Sequence, residues 1–304
     1  MSPAARALPA LILGAVLIGL APIFVRLVEV GPSAAAFWRL ALALPLLGLL
    51  LAARSGDRDG AGPGGSLRSL RWLWLAGLFF AGDLAVWHQS IEFTSVANAT
   101  LLANMAPVFV TLAAWLLYGE RISRGFALGL ALALAGAACL VADSLSVSRQ
   151  TAFGDLLGVL AAMFYAGYII GVSRQRRVFD TAQVMFWTTA AGVLVTLPLA
   201  LALGETIWPT SARDWALLVG LALLSHVGGQ GLIAYALAHL PAAFSSVSLL
   251  VQPVAATLFA WLLLAEVFGP LQALGGAIVL GGILLCRLAM LRPAGVMTAK
   301  SPPG

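Results

Sequence analysis

Apolar runs of about 20 residues fill nearly all of this 304-residue chain, and each is long enough to cross the hydrocarbon core of a bilayer. Ten can be delimited, at about 7–28, 33–53, 72–93, 96–118, 122–142, 153–174, 181–203, 213–238, 242–265 and 268–290. Only 10% of the residues are charged and 61% are hydrophobic, with a mean hydropathy of +1.00. A soluble domain carries roughly a quarter charged residues, so most of this surface cannot face water. The runs lack the apolar/polar alternation of a transmembrane barrel. What remains is an all-α polytopic membrane protein with ten transmembrane helices.

The chain is also written twice. In one ungapped register Pro107 falls on Pro253, Thr111 on Thr257, Trp115 on Trp261, Glu120 on Glu266, Gly129 on Gly275 and Gly136 on Gly282. Leucines and alanines could coincide by chance in such a composition; Pro, Thr, Trp and Glu in one register mark an internal duplication. The sequence divides into a first repeat (1–142), a linker (143–152), a second repeat (153–291) and a tail (292–304). Each half holds five helices, an odd number, so the second copy is expected to enter the membrane from the opposite side. Inverted repeats of this kind belong to secondary transporters, whose site lies near mid-membrane between the halves.

Charge gives the orientation. Arg54, Arg58, Arg68 and Arg71, Arg174, Arg176 and Arg177, and Arg287, Arg292 and Lys300 all fall on the side of the amino terminus, whereas Arg26, Arg149 and Arg213 fall on the other. The positive-inside rule then places both termini in the cytoplasm, with the chain in a bacterial inner (plasma) membrane. The arginines form short helix-flanking clusters rather than a nucleic-acid-binding face. Cys139 and Cys286 belong to opposite leaflets, beyond the roughly 7 Å reach of a disulfide. No P-loop, HExxH, GxSxG or Cys/His metal spacing occurs, so neither an enzyme, a cofactor nor a metal is expected. The expected partners are a small-molecule substrate and membrane lipid, with the chain a monomer or weak homodimer.

Polar residues concentrate in helices 3, 4, 8 and 9. Asp83 sits midway along helix 3, where a carboxylate must face the bundle interior or a cavity. Arg39, the one deep arginine, is its expected structural ion-pair partner, and a substrate role for Asp83 stays equally open. His88 and His226 are either proton-coupling groups or satisfied buried histidines. Asn104 on helix 4, Gln230 on helix 8, and Ser248 and Gln252 on helix 9 form stripes that suit either interhelical bonding or a polar site. Trp87, Tyr165 and Tyr168 offer aromatic walls or a cation–π face. Pro107 and Pro253 each remove a mid-helix donor at the same repeat position and are the expected hinges. Glu120 and Glu266, ending helices 4 and 9 on opposite sides, read as caps or gate ion pairs.

The repeated P-x3-T-x3-W-L-L-x2-E block, preceded in the first copy by Gly82-Asp83, Trp87-His88 and Thr94 to Thr100, resembles the EamA domain of the drug/metabolite transporter superfamily over essentially the whole chain. The resemblance implies a ten-helix inner-membrane transporter, with YddG-like aromatic amino-acid exporters the nearest functional analogy. It implies a central cavity lined by helices 1, 3, 4, 6, 8 and 9, with helices 5 and 10 peripheral. Leu17-Ile18-Gly19 departs from the family's frequent Leu-Trp-Gly in helix 1. The expected function is export of small zwitterionic metabolites, amino acids foremost, by alternating access. The alternatives are efflux of drugs or other metabolites by the same fold, or an intramembrane enzyme using Asp83, His88 and His226.

Overall fold

The computed structural model describes residues 3–55, 67–94, 96–119, 122–142 and 151–291. Most of the linker, the tail, Glu120 and the side chain of His88 lie outside the described residues. Ten helices are long and apolar enough to cross a membrane. We number them spans 1 to 10: Ala5–Leu27, Pro32–Ala53, Leu70–Trp87, Asn98–Leu117, Arg124–Val141, Ala152–Gln175, Thr181–Ala202, Ala212–Ala236, Ala242–Leu264 and Pro270–Leu291. No strand occurs among the described residues.

Small residues set how closely the spans approach, as expected where lipid removes any hydrophobic gain between helices. Span 5 packs along span 10 through facing glycines. A Cβ at Gly129 would stand 2.7 Å from the Gly282 carbonyl oxygen, and one at Gly136 2.6 Å from that of Gly275. Rising numbers on span 5 meet falling numbers on span 10, so these two repeat-equivalent helices run antiparallel. Their glycines thus pack against each other rather than only against lipid. Span 3 lies on span 6, span 2 on span 7, and span 1 on span 8. Gly14 of span 1 meets Gly229 of span 8 backbone to backbone, its Cβ position 2.8 Å from the Gly229 oxygen.

The duplication persists in the backbone. Gly119 ends the span-4 helix in the left-handed region (φ 65), its N–H bonding the Ala114 and Trp115 carbonyls. Ala265, the equivalent position in the second copy, ends the span-9 helix likewise (φ 54) and bonds the Ala260 carbonyl. The turn geometry is kept although the second copy has lost its glycine.

Side chains fasten the helix ends. Asp155, at the start of span 6, accepts from Thr94 Oγ1 (2.7 Å), Asn98 Nδ2 (3.0 Å) and Thr151 Oγ1 (3.3 Å), tying spans 3, 4 and 6 together. Asp180 and Gln183 close a reciprocal capping box at the start of span 7. At the bundle face opposite the amino terminus, exposed Arg26 and Glu266 form an ion pair. A pair this accessible adds little stability.

Candidate functional site

Four spans depart from regular α-helix. Span 1 breaks at Gly19-Leu20, between helices Pro3–Ile18 and Ala21–Leu27. Span 4 breaks at Asn104-Met105, between Val96–Ala103 and Ala106–Tyr118. Span 9 breaks at Leu249-Leu250, between Ala242–Ser248 and Val251–Leu264. Each break lies just before a proline (Pro22, Pro107 or Pro253), which has no N–H for the carbonyl four residues back. Span 8 widens into a π-helix over Leu221–Gln230, a form that recurs at functional sites.

All four irregularities face one cavity of about 190 Å³. Gly19 and Pro22, Asn104, Leu221 and Gln230, and Gln252 and Pro253 are among the residues those spans contribute. Broken backbone at membrane depth is tolerated where it lines a cavity. Asp83 and Trp87 of span 3 and Tyr165 of span 6 reach the same space, as does Arg39 of span 2. Helix rise places Arg39 roughly 10 Å and Asp83 roughly 15 Å below the bundle face that carries Arg26. The cavity therefore lies at mid-depth, toward that face.

Several expected site residues stand elsewhere. Tyr168, 2% exposed, packs behind Tyr165 with ring centroids 6.0 Å apart and lies against Phe80 at 4.8 Å. His226, 1% exposed, also stacks on Phe80 (5.7 Å), and its Nε2 lies 2.8 Å from Thr189 Oγ1. Its Nδ1 has no hydrogen-bond partner, so it makes no bond to Asp83. Ser248 donates to the Phe244 carbonyl inside its own helix at 3.0 Å. Pro107 is buried beside the break and does not reach the cavity wall, whereas Pro253 does.

The expected Arg39–Asp83 ion pair is not closed. No nitrogen–oxygen approach within 4.0 Å joins them; among the described residues that contact belongs to Arg26 and Glu266. Instead the Arg39 guanidinium carbon lies 5.8 Å from the centroid of Phe80, within cation–π range. Arg39, expected as an ion-pair partner, and Phe80, not expected at all, are thus both elements of the cavity wall. Arg39 had a signal, as the only arginine deep in a span. Phe80 had none, being one phenylalanine in an apolar run.

Polar capacity on the wall is left open by the protein. Gln230 Oε1 and Arg39 Nε are buried without a hydrogen-bond partner. Gln252 lies beside the Tyr165 hydroxyl, but its Nε2 has no partner that meets hydrogen-bond geometry. Asn104 spends one donor on the Thr100 carbonyl at 2.9 Å. Buried polar groups are nearly always bonded, and these unmet ones belong to residues that line the cavity. No group of three or more His, Cys, Asp or Glu able to hold a metal occurs among the described residues.

Comparison with known proteins agrees with this architecture. The family model of the EamA-like transporter family matches residues 5–142 and again 152–288. The pseudopaline exporter CntI of Pseudomonas aeruginosa is 28% identical over 219 residues, 72% of this chain and 75% of its own. A probable terminal-alkyne amino-acid exporter of Streptantibioticus cattleyicolor is 32% identical over 62% of this chain and 63% of its own. An uncharacterized transporter of Archaeoglobus fulgidus is 30% identical over 86% of this chain and 91% of its own. A solved crystal structure superposes with a TM-score of 0.78 at 20% identity, covering 96% of this chain and 99% of that one; at this identity it speaks to fold alone. A twice-matched family model and a broken-helix cavity lead to one assignment: this chain is a membrane transporter that belongs to the EamA-like family.

Proposed function

We infer that the protein is a secondary exporter of small zwitterionic metabolites, amino acids foremost, working by alternating access between two inverted repeats in a bacterial inner membrane with both termini cytoplasmic. The observation that carries this reading is the mid-depth cavity, where discontinuous helices meet and a guanidinium, a carboxyl group and amides line the wall. The antiparallel course of spans 5 and 10 supports the inversion.

Size supports a small cargo. About 190 Å³ is compact beside the roughly 300–1,000 Å³ of pockets for drug-sized ligands. It exceeds the ~150 Å³ cavity that holds a benzene, leaving room for a compact amino acid. The terminal-alkyne amino-acid exporter lends the same chemistry by analogy. An intramembrane enzyme would need Asp83 and His226 within hydrogen-bond reach, and His226 instead turns to Thr189.

The test is purified protein in proteoliposomes, screened across the twenty amino acids with and without a proton gradient. Accumulation or counterflow of at least one is the expected result. Protein that is folded and inserted yet moves none refutes the substrate class.

A further inference from the structure

We propose that the cavity reads both charged ends of its cargo, the Arg39 guanidinium taking a carboxylate and the Asp83 carboxylate taking an ammonium group. The inference rests on the exporter reading above and adds to it the residues that decide specificity.

Arg39 is 8% exposed and lines the cavity. Its guanidinium stays charged in any protein environment and presents five donors in a planar fork suited to a carboxylate. Yet Nε has no partner, and the floor beneath the group is the face of Phe80. That ring also packs against Tyr168 (4.8 Å) and His226 (5.7 Å). The aromatic stack fixes the cation in place and supplies no oxygen to it. Asp83 follows Phe80 by three residues, so it stands one turn on along the same helix face and opens onto the same space.

A guanidinium and a carboxyl group taken from water and held short of contact lack the mutual attraction that would offset their desolvation. A closed Arg39–Asp83 pair would be the cheaper solution for a purely structural role. An occupant with one carboxylate and one ammonium, lying between them, restores a counter-charge to each. Gln230 and Gln252 then supply neutral donors and acceptors to the rest of the molecule. A simple anion or a simple cation leaves one protein charge unmet. The site thus selects zwitterions against both.

The experiment uses wild-type protein in proteoliposomes, with counterflow of whichever radiolabelled amino acid moves fastest. Competitors are the same amino acid unlabelled, its carboxamide (ammonium kept, carboxylate neutralised) and its N-acetyl derivative (carboxylate kept, ammonium neutralised). Each derivative is expected to compete about ten- to a hundredfold less well than the parent, the range for losing one charge-assisted hydrogen bond. Arg39→Gln is expected to erase the penalty for the carboxamide alone, and Asp83→Asn that for the N-acetyl derivative alone. Arg39→Lys should keep part of the first preference. Counterflow of no amino acid sinks the exporter reading itself. Counterflow that carboxamide and N-acetyl derivative inhibit as well as the parent sinks only this inference, and that arm needs no variant to fold.

Discussion

Gly281 and Gly282 are neighbours on span 10, and the same substitution at each should shift stability in opposite directions. A Cβ at Gly282 would lie 2.5 Å from the Ala133 backbone nitrogen and 2.6 Å from the Gly129 oxygen, both on span 5; one at Gly281 meets nothing within 4 Å. Ordinary contact begins near 3.4 Å, so Gly282→Ala forces the two helices about 0.9 Å apart (3.4 − 2.5). The atoms in the way are backbone and cannot swing aside. Overpacking of this kind costs about 1–3 kcal/mol, against which alanine recovers up to about 1 kcal/mol of helix propensity. Gly282→Ala should therefore destabilise by up to about 2 kcal/mol, and Gly281→Ala should stabilise by up to about 1 kcal/mol. Reversible unfolding in mixed micelles, followed by tryptophan fluorescence, reads the difference directly. Two variants that agree within about 0.5 kcal/mol, or share a sign, would refute the close glycine seam between spans 5 and 10.

Three other outcomes follow from particular contacts. Ala265→Gly should raise the unfolding midpoint, because a non-glycine residue at φ 54 carries roughly 1 kcal/mol of backbone strain; an unchanged or lowered midpoint shows that the turn is not strained. Thr189→Val leaves both ring nitrogens of buried His226 without a bond and should cost about 1–3 kcal/mol, measured by thermal unfolding against wild type. Asp155→Ala removes the acceptor that Thr94, Asn98 and Thr151 share; a loss of about 2–3 kcal/mol is expected, and hydrogen exchange should show the start of span 6 opening first.

Much of the architecture is written in the linear pattern. Ten apolar runs of bilayer length can only become helices, since every backbone polar group must be satisfied within its own segment. Pro107 and Pro253 foretold breaks at equivalent points of spans 4 and 9, because a missing N–H acts locally whatever surrounds it. Asp83 had to turn inward for a reason as local, the cost of a carboxylate in hydrocarbon.

Which side chains meet was another matter. Tyr165 and Tyr168 are three residues apart, about 60° around the helix; packing turned the first toward the cavity and the second against Phe80. Ser248 and Gln252 would share a face on an unbroken helix, but the break at Leu249-Leu250 uncouples them. His226 and Gln230 share a face by α-helical spacing, and the π-helix that holds them shifts that phase. Periodicity fixes which residues of one helix lie together, not how far that helix is rotated against its neighbours. That angle is set by side-chain packing between spans, so the membrane bundle and its breaks could be read from the sequence. The membership of the cavity, with Arg39 and Asp83 on one wall but not in contact with each other, was decided only when the helices packed.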